Sequence, residues 1–429
     1  MISKEKWVEI IKDFHERKMP EIIPRDQSID FESSMKRAIS IIGPRRAGKT
    51  YEMFFLINKI RQKYGINKVI YINFERADLE FLSYKDLVIM LEAYYELYPG
   101  NKSSKIWLFL DEIQNVSEWE RAVRSYLDEE ISVFLSGSSS KLLSREIATS
   151  MRGRNISFNI YPFSFKEFLS AKKFEIKNYY SSSEKALLNN LLNEFLIFGG
   201  YPEAVIYDKE REKIIKDIYD TAIYKDVIEG GKIRNTKVLR LLIKALLTSN
   251  EFSLHNFYNF IKSQGIKTSK NSMYKYADYL SDAFFVFFLR KHDLSYKKSE
   301  QSLPKIYFID NGLLTLNGID DKGRLLENLV FIELTRRNKD VAYYQNSLKE
   351  EVDFVIKEGK KVKQLVQVCY DLNNFMTIDR EKRILIKASE EFNCNNLIII
   401  TMSEEKEISI KNKTVKIIPL WKWLLEKNE

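Results

Sequence analysis

Gly43-Pro44-Arg45-Arg46-Ala47-Gly48-Lys49-Thr50 puts two glycines, a lysine and a hydroxyl at the spacing G-x-x-x-x-G-K-[ST]. That spacing suits the cradling of a phosphate chain. Glycine lets the backbone curl until successive N–H groups face one anion. Lys49 would then reach the β- and γ-phosphates, and the Thr50 hydroxyl would ligate a divalent ion. A helix beginning near Lys49 and running on through Tyr51 would turn its positive end to the same anion. A second chemical string follows in Ile106-Trp-Leu-Phe-Leu110-Asp111-Glu112. Five apolar residues end in two acids, and ligands of open α/β sheets bind beyond such strand ends. Asp111 would hold the metal, and Glu112 would polarise an attacking water.

These groups need a scaffold. Residues 38–42 read as a short buried strand feeding the glycine-rich loop, and 51–57 continue the helix after it. Apolar runs at 69–74, 131–135 and 156–160 read as further strands, separated by helical stretches. Alternation of this kind gives a parallel sheet with helices on both faces. After the fourth strand, Ser136 or Ser138 would sense the γ-phosphate, or else that serine-rich turn caps a helix over 141–149. The helix over 4–17 carries Trp7, Ile10, Ile11 and Phe14 at helical spacing and reads as docking surface for this core. Pro24-Arg25 is expected at the adenine side of the pocket.

The chain has 429 residues, of which 45% are apolar and 30% charged. That leaves room for roughly two to four globular domains. No run of 18 or more apolar residues occurs, so no membrane partner is expected. The first residues lack the apolar stretch of a secretory signal, and Cys369 and Cys394 are the only cysteines. A cytoplasmic location is therefore expected. His15, His255 and His292 are scattered and suggest neither a triad nor a zinc site. The net charge is +9, and residues 232–300 hold an excess of eight positive charges. A basic segment of that kind suits a phosphate backbone, so double-stranded DNA is an expected partner.

Several strings occur in a fixed order. They are the glycine-rich loop, Phe109-Leu-Asp-Glu-Ile-Gln-Asn-Val-Ser-Glu-Trp119-Glu, Ser136-Gly-Ser-Ser-Ser-Lys-Leu-Leu, Met151-Arg-Gly-Arg154, Tyr161-Pro-Phe-Ser-Phe-Lys-Glu-Phe168 and Gly199-Gly-Tyr-Pro202. Together they resemble the prokaryotic AAA-type ATPase family whose members carry a C-terminal domain of unknown function related to PD-(D/E)xK nucleases. The resemblance implies a P-loop NTPase core with an additional strand, a helical lid, and ATP and Mg2+ as ligands. It also implies a homo-oligomer in which an arginine, Arg154 or Arg152, completes a neighbour's site. The alternative for these arginines is an ion pair with the chain's own acids. The expected fold class is α/β: a parallel P-loop sheet with a helical lid, then a winged-helix domain, then an α/β PD-(D/E)xK-like domain. The expected boundaries are a helical segment over 1–36, the ATPase core over 37–162, the lid over 163–230, the winged helix over 231–310 and the nuclease-like domain over 311–429.

Within the lid, helices are expected over 165–171, 184–198, 203–207 and 214–227, broken at Gly199-Gly200. Ser253 then caps a helix with Leu254, Phe257, Phe260 and Ile261 facing inward, and Gly265 ends it. A second helix turns Met273, Tyr276, Ala277 and Leu280 inward, and presents Lys270, Asn271, Tyr274 and Lys275 to a DNA groove. Segments 283–289 and 305–309 are expected to pair as the wing.

Related nucleases use two acids for Mg2+ and a lysine beside the attacking water. Glu327 lies on a helix expected over 325–337, and Asp353 on a strand over 351–356. The next strand puts Leu365, Gln367 and Cys369 on one face. Where the resemblance calls for Glu-x-Lys, the chain has Gln367-Val-Cys369. An amide is a poor Mg2+ ligand and a thiol does not replace an ammonium. Lys363 and Lys349 are lysines nearby in sequence, without a geometry that brings them in. The expectation is a non-cleaving domain that binds DNA or a partner. The leading function is a DNA-associated, Mg2+-dependent ATPase. The alternatives are an ATP-regulated nuclease and a nucleotide switch that binds proteins.

Overall fold

A computed structural model describes the chain except Met1, Ser34, residues 138–150, Arg152, Leu294, residues 372–374, Lys411 and residues 427–429, with backbone alone over 375–381. It forms two compact units that meet in sequence between Tyr161 and Pro162.

The first unit runs α1 (Lys4–Glu16), β1 (Ala38–Ile42), α2 (Lys49–Tyr64), β2 (Val69–Asn73), α3 (Tyr84–Leu97), β3 (Trp107–Asp111), α4 (Trp119–Asp128), β4 (Ser132–Gly137) and β5 (Asn155–Asn159). Its five strands lie in the order β2-β3-β4-β1-β5, and every pairing is parallel. A parallel sheet is covered on both faces, which is why its strands read as unbroken apolar runs; all five residues of β3 are buried. The insertion of β4 separates the glycine-loop strand from the Asp111 strand by one position. Ile42 pairs with Gly137 and Leu110 with Leu135, so the C-terminal ends of β1, β4 and β3 share one edge. Ser3 caps α1 by accepting the Lys6 N–H at 3.3 Å, and Trp7, Ile10, Ile11 and Phe14 are buried.

The second unit begins with α5 (Phe165–Ala171), α6 (Ser182–Phe198), α7 (Pro202–Ile206) and α8 (Arg211–Thr221), whose end continues as a π-helical turn over Ala222–Glu229. Then come α9 (Thr236–Leu247), α10 (Leu254–Ser263), α11 (Lys270–Asp282), β6 (Val286–Leu289), α12 (Tyr296–Gln301) and β7 (Lys305–Phe308). β6 and β7 pair antiparallel. After α13 (Asn311–Leu316) and α14 (Lys322–Arg336), the chain forms β8 (Asp340–Gln345), β9 (Glu351–Glu358), β10 (Lys361–Cys369), α15 (Phe375–Phe392), β11 (Leu397–Thr401), β12 (Lys406–Ile410), β13 (Lys413–Pro419) and α16 (Leu420–Leu425). These last strands make a mixed sheet in the order β12-β13-β11-β10-β9-β8.

Gly199 and Gly200 do more than break helices. Gly199 has φ +73°, and a Cβ there would lie 1.8 Å from Asp310 Oδ1. The buried Asp310 carboxylate accepts the Gly200 N–H at 2.7 Å and the Gly312 N–H at 2.8 Å, tying the end of α6 to the start of α13. Two local expectations are corrected. Phe260, expected inward, is 55% exposed, because Phe257 and Ile261 alone complete the buried stripe of α10. The strand expected from 283 begins at Val286, because Phe284 turns the chain at φ +56°.

Candidate functional site

The loop after β1 curls as its glycines require. Gly43 has φ +155°, and a Cβ on it would lie 2.0 Å from the Ile160 carbonyl oxygen. Gly48 has φ +102° and leads directly into α2. Arg46, between them, is also left-handed at φ +61°. Pro44 and Ala47 are buried. Lys49 is 5% exposed; its Nζ donates to the carbonyls of Gly43 and Pro44, each at 3.2 Å. Arg45 reaches out to Glu75 at 3.0 Å, and Tyr51 is half-exposed on α2. Arg25 donates to the Ala47 carbonyl at 3.4 Å and to the Tyr161 carbonyl, so the N-terminal segment borders the loop.

The acids stand opposite. Thr50 Oγ1 donates to Asp111 Oδ2 at 2.8 Å, joining residues 61 positions apart. Tyr71 OH donates to the same oxygen at 2.8 Å, and the Ser136 hydroxyl donates to Oδ1. Ser136 Oγ also accepts the Glu112 N–H at 2.9 Å. Glu112 takes a left-handed φ of +54°, a strained conformation of the kind functional sites hold. Its Oε1 lies 3.9 Å from Lys49 Nζ, and its Oε2 accepts Gln114 Nε2 at 2.5 Å. Burial raises the Glu112 carboxyl above its usual range, the Lys49 charge opposes the rise, and Asp111 adds to it.

The donors suit Mg2+. A hydroxyl and a carboxylate are hard oxygen ligands, and Mg2+ takes one or two such protein groups plus substrate phosphates. Among the described residues no group of three or more His, Cys, Asp or Glu is arranged to hold a metal. The serine expectation divides. Ser136 is buried on Asp111 rather than facing outward, and Ser138, like the helix expected over 141–149 and Arg152, lies outside the described residues. Arg154 is not at this edge of the sheet: its carbonyl accepts the Ala38 N–H at the start of β1, and its side chain pairs with Asp128 at 2.8 Å.

In the second unit, Lys270, Asn271, Tyr274 and Lys275 form one exposed face of α11, while Met273, Tyr276, Ala277 and Leu280 are buried. The two-acid pattern gains a partner that sequence reasoning missed. Lys305, opening β7, is 5% exposed. Its Nζ lies 2.8 Å from Glu327 Oε1, 2.6 Å from Glu351 Oε1 and 3.0 Å from Asp353 Oδ1, and Tyr307 OH donates to Glu327 at 2.6 Å. Burial pulls the Lys305 ammonium down, but Tyr307 and the three acids more than offset it and hold it well above its ordinary value. Burial pushes Asp353 and Glu351 upward, against the pull of Lys305. A cavity of about 230 Å³ adjoins the cluster, lined by Asn250, Glu251, Lys305, Tyr307, Arg324 and Glu327 among others. An ammonium therefore lies against Glu327 and Asp353, and it comes from β7 rather than from β10. Gln367 Oε1 accepts the Asp353 N–H at 3.2 Å, Cys369 Sγ donates to the Asp371 carbonyl, Lys363 pairs with Glu358, and Lys349 is exposed.

The inserted strand, the glycine loop and the acids at one sheet edge define a P-loop domain of the AAA type, and residues 35–169 match a family model described as an AAA domain. Residues 189–323 and 322–423 match two domains of unknown function, DUF8612 and DUF4143. The chain is 39% identical over 430 residues to an uncharacterized protein of Methanocaldococcus jannaschii, covering 97% of this chain and 94% of that one. It is 31% identical over 365 residues to an uncharacterized protein of Haemophilus influenzae, covering 81% and 88%. The chain belongs to one family with these two proteins. Among solved structures it is similar to the Aeropyrum pernix ORC2 protein in its ADPNP and ADP complexes, at 10% identity over 77% of this chain and 92% of that one, with a TM-score of 0.42.

Proposed function

We propose that the first unit binds ATP with Mg2+ and hydrolyses it, and that the protein acts on duplex DNA. The observation that carries the first part is the 2.8 Å bond from Thr50 to Asp111, which closes the phosphate loop onto the acidic strand end. Backbone N–H groups of residues 43–50 and the start of α2 would hold the phosphates. Lys49 would exchange its carbonyl partners for phosphate oxygens. Thr50 and Asp111 would hold Mg2+, which when bound neutralises charge on the β- and γ-oxygens. Glu112 would take a proton from the attacking water, and Arg154 of one copy would reach the site of another. Glu112→Gln should keep ATP binding and lower turnover on the order of 10²-fold or more, as for loss of a general base. Unchanged hydrolysis in that variant overturns the assignment.

Support for DNA comes from the basic excess over 232–300 and the exposed face of α11. Duplex affinity that falls steeply with salt is expected; its absence at low salt, with a protein partner captured instead, would favour the nucleotide-switch reading. The Lys305 cluster favours a second reading, an ATP-regulated nuclease. Mg2+- or Mn2+-dependent cutting of DNA that persists in Glu112→Gln and disappears in Asp353→Asn would establish it. No cutting under either metal would leave the cluster as an internal ion pair.

A further inference from the structure

Asp111 is 0% exposed, and hydroxyls from three separate elements hold its carboxylate. Thr50 and Tyr71 donate to Oδ2, and Ser136 to Oδ1. The three donors are not equivalent. Thr50 faces the phosphate loop and is itself a metal ligand in the nucleotide reading above, on which this inference rests. Ser136 is shared, because it also accepts the Glu112 N–H. Tyr71 comes from β2, whose Asn73 pairs with Asp111 in parallel register, and among the described residues its hydroxyl bonds to Asp111 alone. Its ring is clamped by Phe14 of α1 at 4.6 Å and Phe54 of α2 at 5.2 Å. Facing a carboxylate, which only accepts, the Tyr71 hydroxyl is the donor of the pair.

We propose that Tyr71 is a positioning residue for the metal-binding carboxylate. A carboxylate turns easily about its last bond unless donors fix it. With Thr50 donating to Asp111, Tyr71 is one of three restraints. A Thr50 hydroxyl can give a lone pair to a metal and keep donating its proton to Asp111, while Ser136 on one oxygen and Tyr71 on the other fix the plane of the carboxylate. The orientation of Asp111 matters to a bound divalent ion and not to the phosphate loop alone, so Tyr71 counts most when the ion is present and least when none is. Partners of this kind, one bond removed from a metal, commonly contribute 10- to 100-fold to its affinity.

Tyr71→Phe removes the hydroxyl and keeps the stacked ring. Calorimetry with a non-hydrolysable ATP analogue, in EDTA and then in excess Mg2+, gives the factor by which the metal tightens binding. In the variant, affinity in EDTA should stay within about twofold of wild type, and the Mg2+ factor should fall about tenfold. The Mg2+ concentration for half-maximal ATP turnover should rise, with turnover at saturating Mg2+ largely retained. An unchanged Mg2+ factor overturns the inference while leaving the nucleotide site standing. Equal weakening in EDTA and in Mg2+ also overturns it, since Tyr71 would then be supporting the loop alone. A wild-type protein that binds no triphosphate would overturn both.

Discussion

Asp310 offers a test of how burial governs the second unit. Its carboxylate is buried, accepts the Gly200 and Gly312 N–H groups, and is pushed up to about 7, chiefly by burial, with the two N–H groups and Arg336 pulling the other way. Unfolded, an aspartate titrates near 3.9. The folded state therefore binds the proton more tightly. The stability this group contributes is fully present below about pH 4 and is lost as pH rises through about 7. Between about pH 5.5 and pH 8 the loss is about 2 kcal/mol, from 1.36 kcal/mol per unit over the 1.5 units below the folded value. Hydrogen exchange, corrected for intrinsic rates and read on peptides spanning 199–202 and 310–316, reports the local opening energy. Wild type should open more easily at the higher pH, and Asp310→Asn, which cannot titrate, should lack that slope. Equal slopes in the two proteins would refute the argument.

Other perturbations are equally direct. Gly199→Ala places a methyl 1.8 Å from Asp310 Oδ1 at a left-handed φ; a loss of a few kcal/mol is expected by urea unfolding. Gly43→Ala collides with the Ile160 carbonyl at 2.0 Å, so ATP binding by calorimetry should be lost while the chain still folds. Lys305→Met leaves the buried Asp353 and the partly exposed Glu327 and Glu351 without their cation, and should destabilise the second unit by about 3 kcal/mol, seen as faster exchange in β7 and β9. Lys270→Glu with Lys275→Glu should weaken duplex binding and flatten its salt slope, measured by fluorescence anisotropy at two salt concentrations.

The chemistry of the first unit was legible because it is local. A glycine loop specifies its own backbone path, and the acids end a strand whose five apolar residues announce its burial. The amphipathic helices α1 and α11 were legible for the same reason, since their buried faces repeat every three or four residues. Phe260 marks the limit: spacing alone allowed a wider apolar stripe than α10 buries. Tyr71 was invisible because a tyrosine inside Val69–Asn73 reads as one more core residue, and only the register of β2 on β3 aims its hydroxyl at Asp111. Ser136 read as a group facing phosphate, but β4 sits beside β3 and gives it to the acids instead.

The same division closes the account of the chain as a whole. Residue order by itself determined a curled glycine loop, an acidic strand end and a parallel sheet to carry them, because those features depend on spacing within a few residues. Tertiary structure alone decided which strand separates β1 from β3 and which hydroxyls surround Asp111. It alone placed Lys305 among Glu327, Glu351 and Asp353. Such pairings depend on strand order and register, which bring together residues far apart in the chain whose types carry no mark of the partner they will meet.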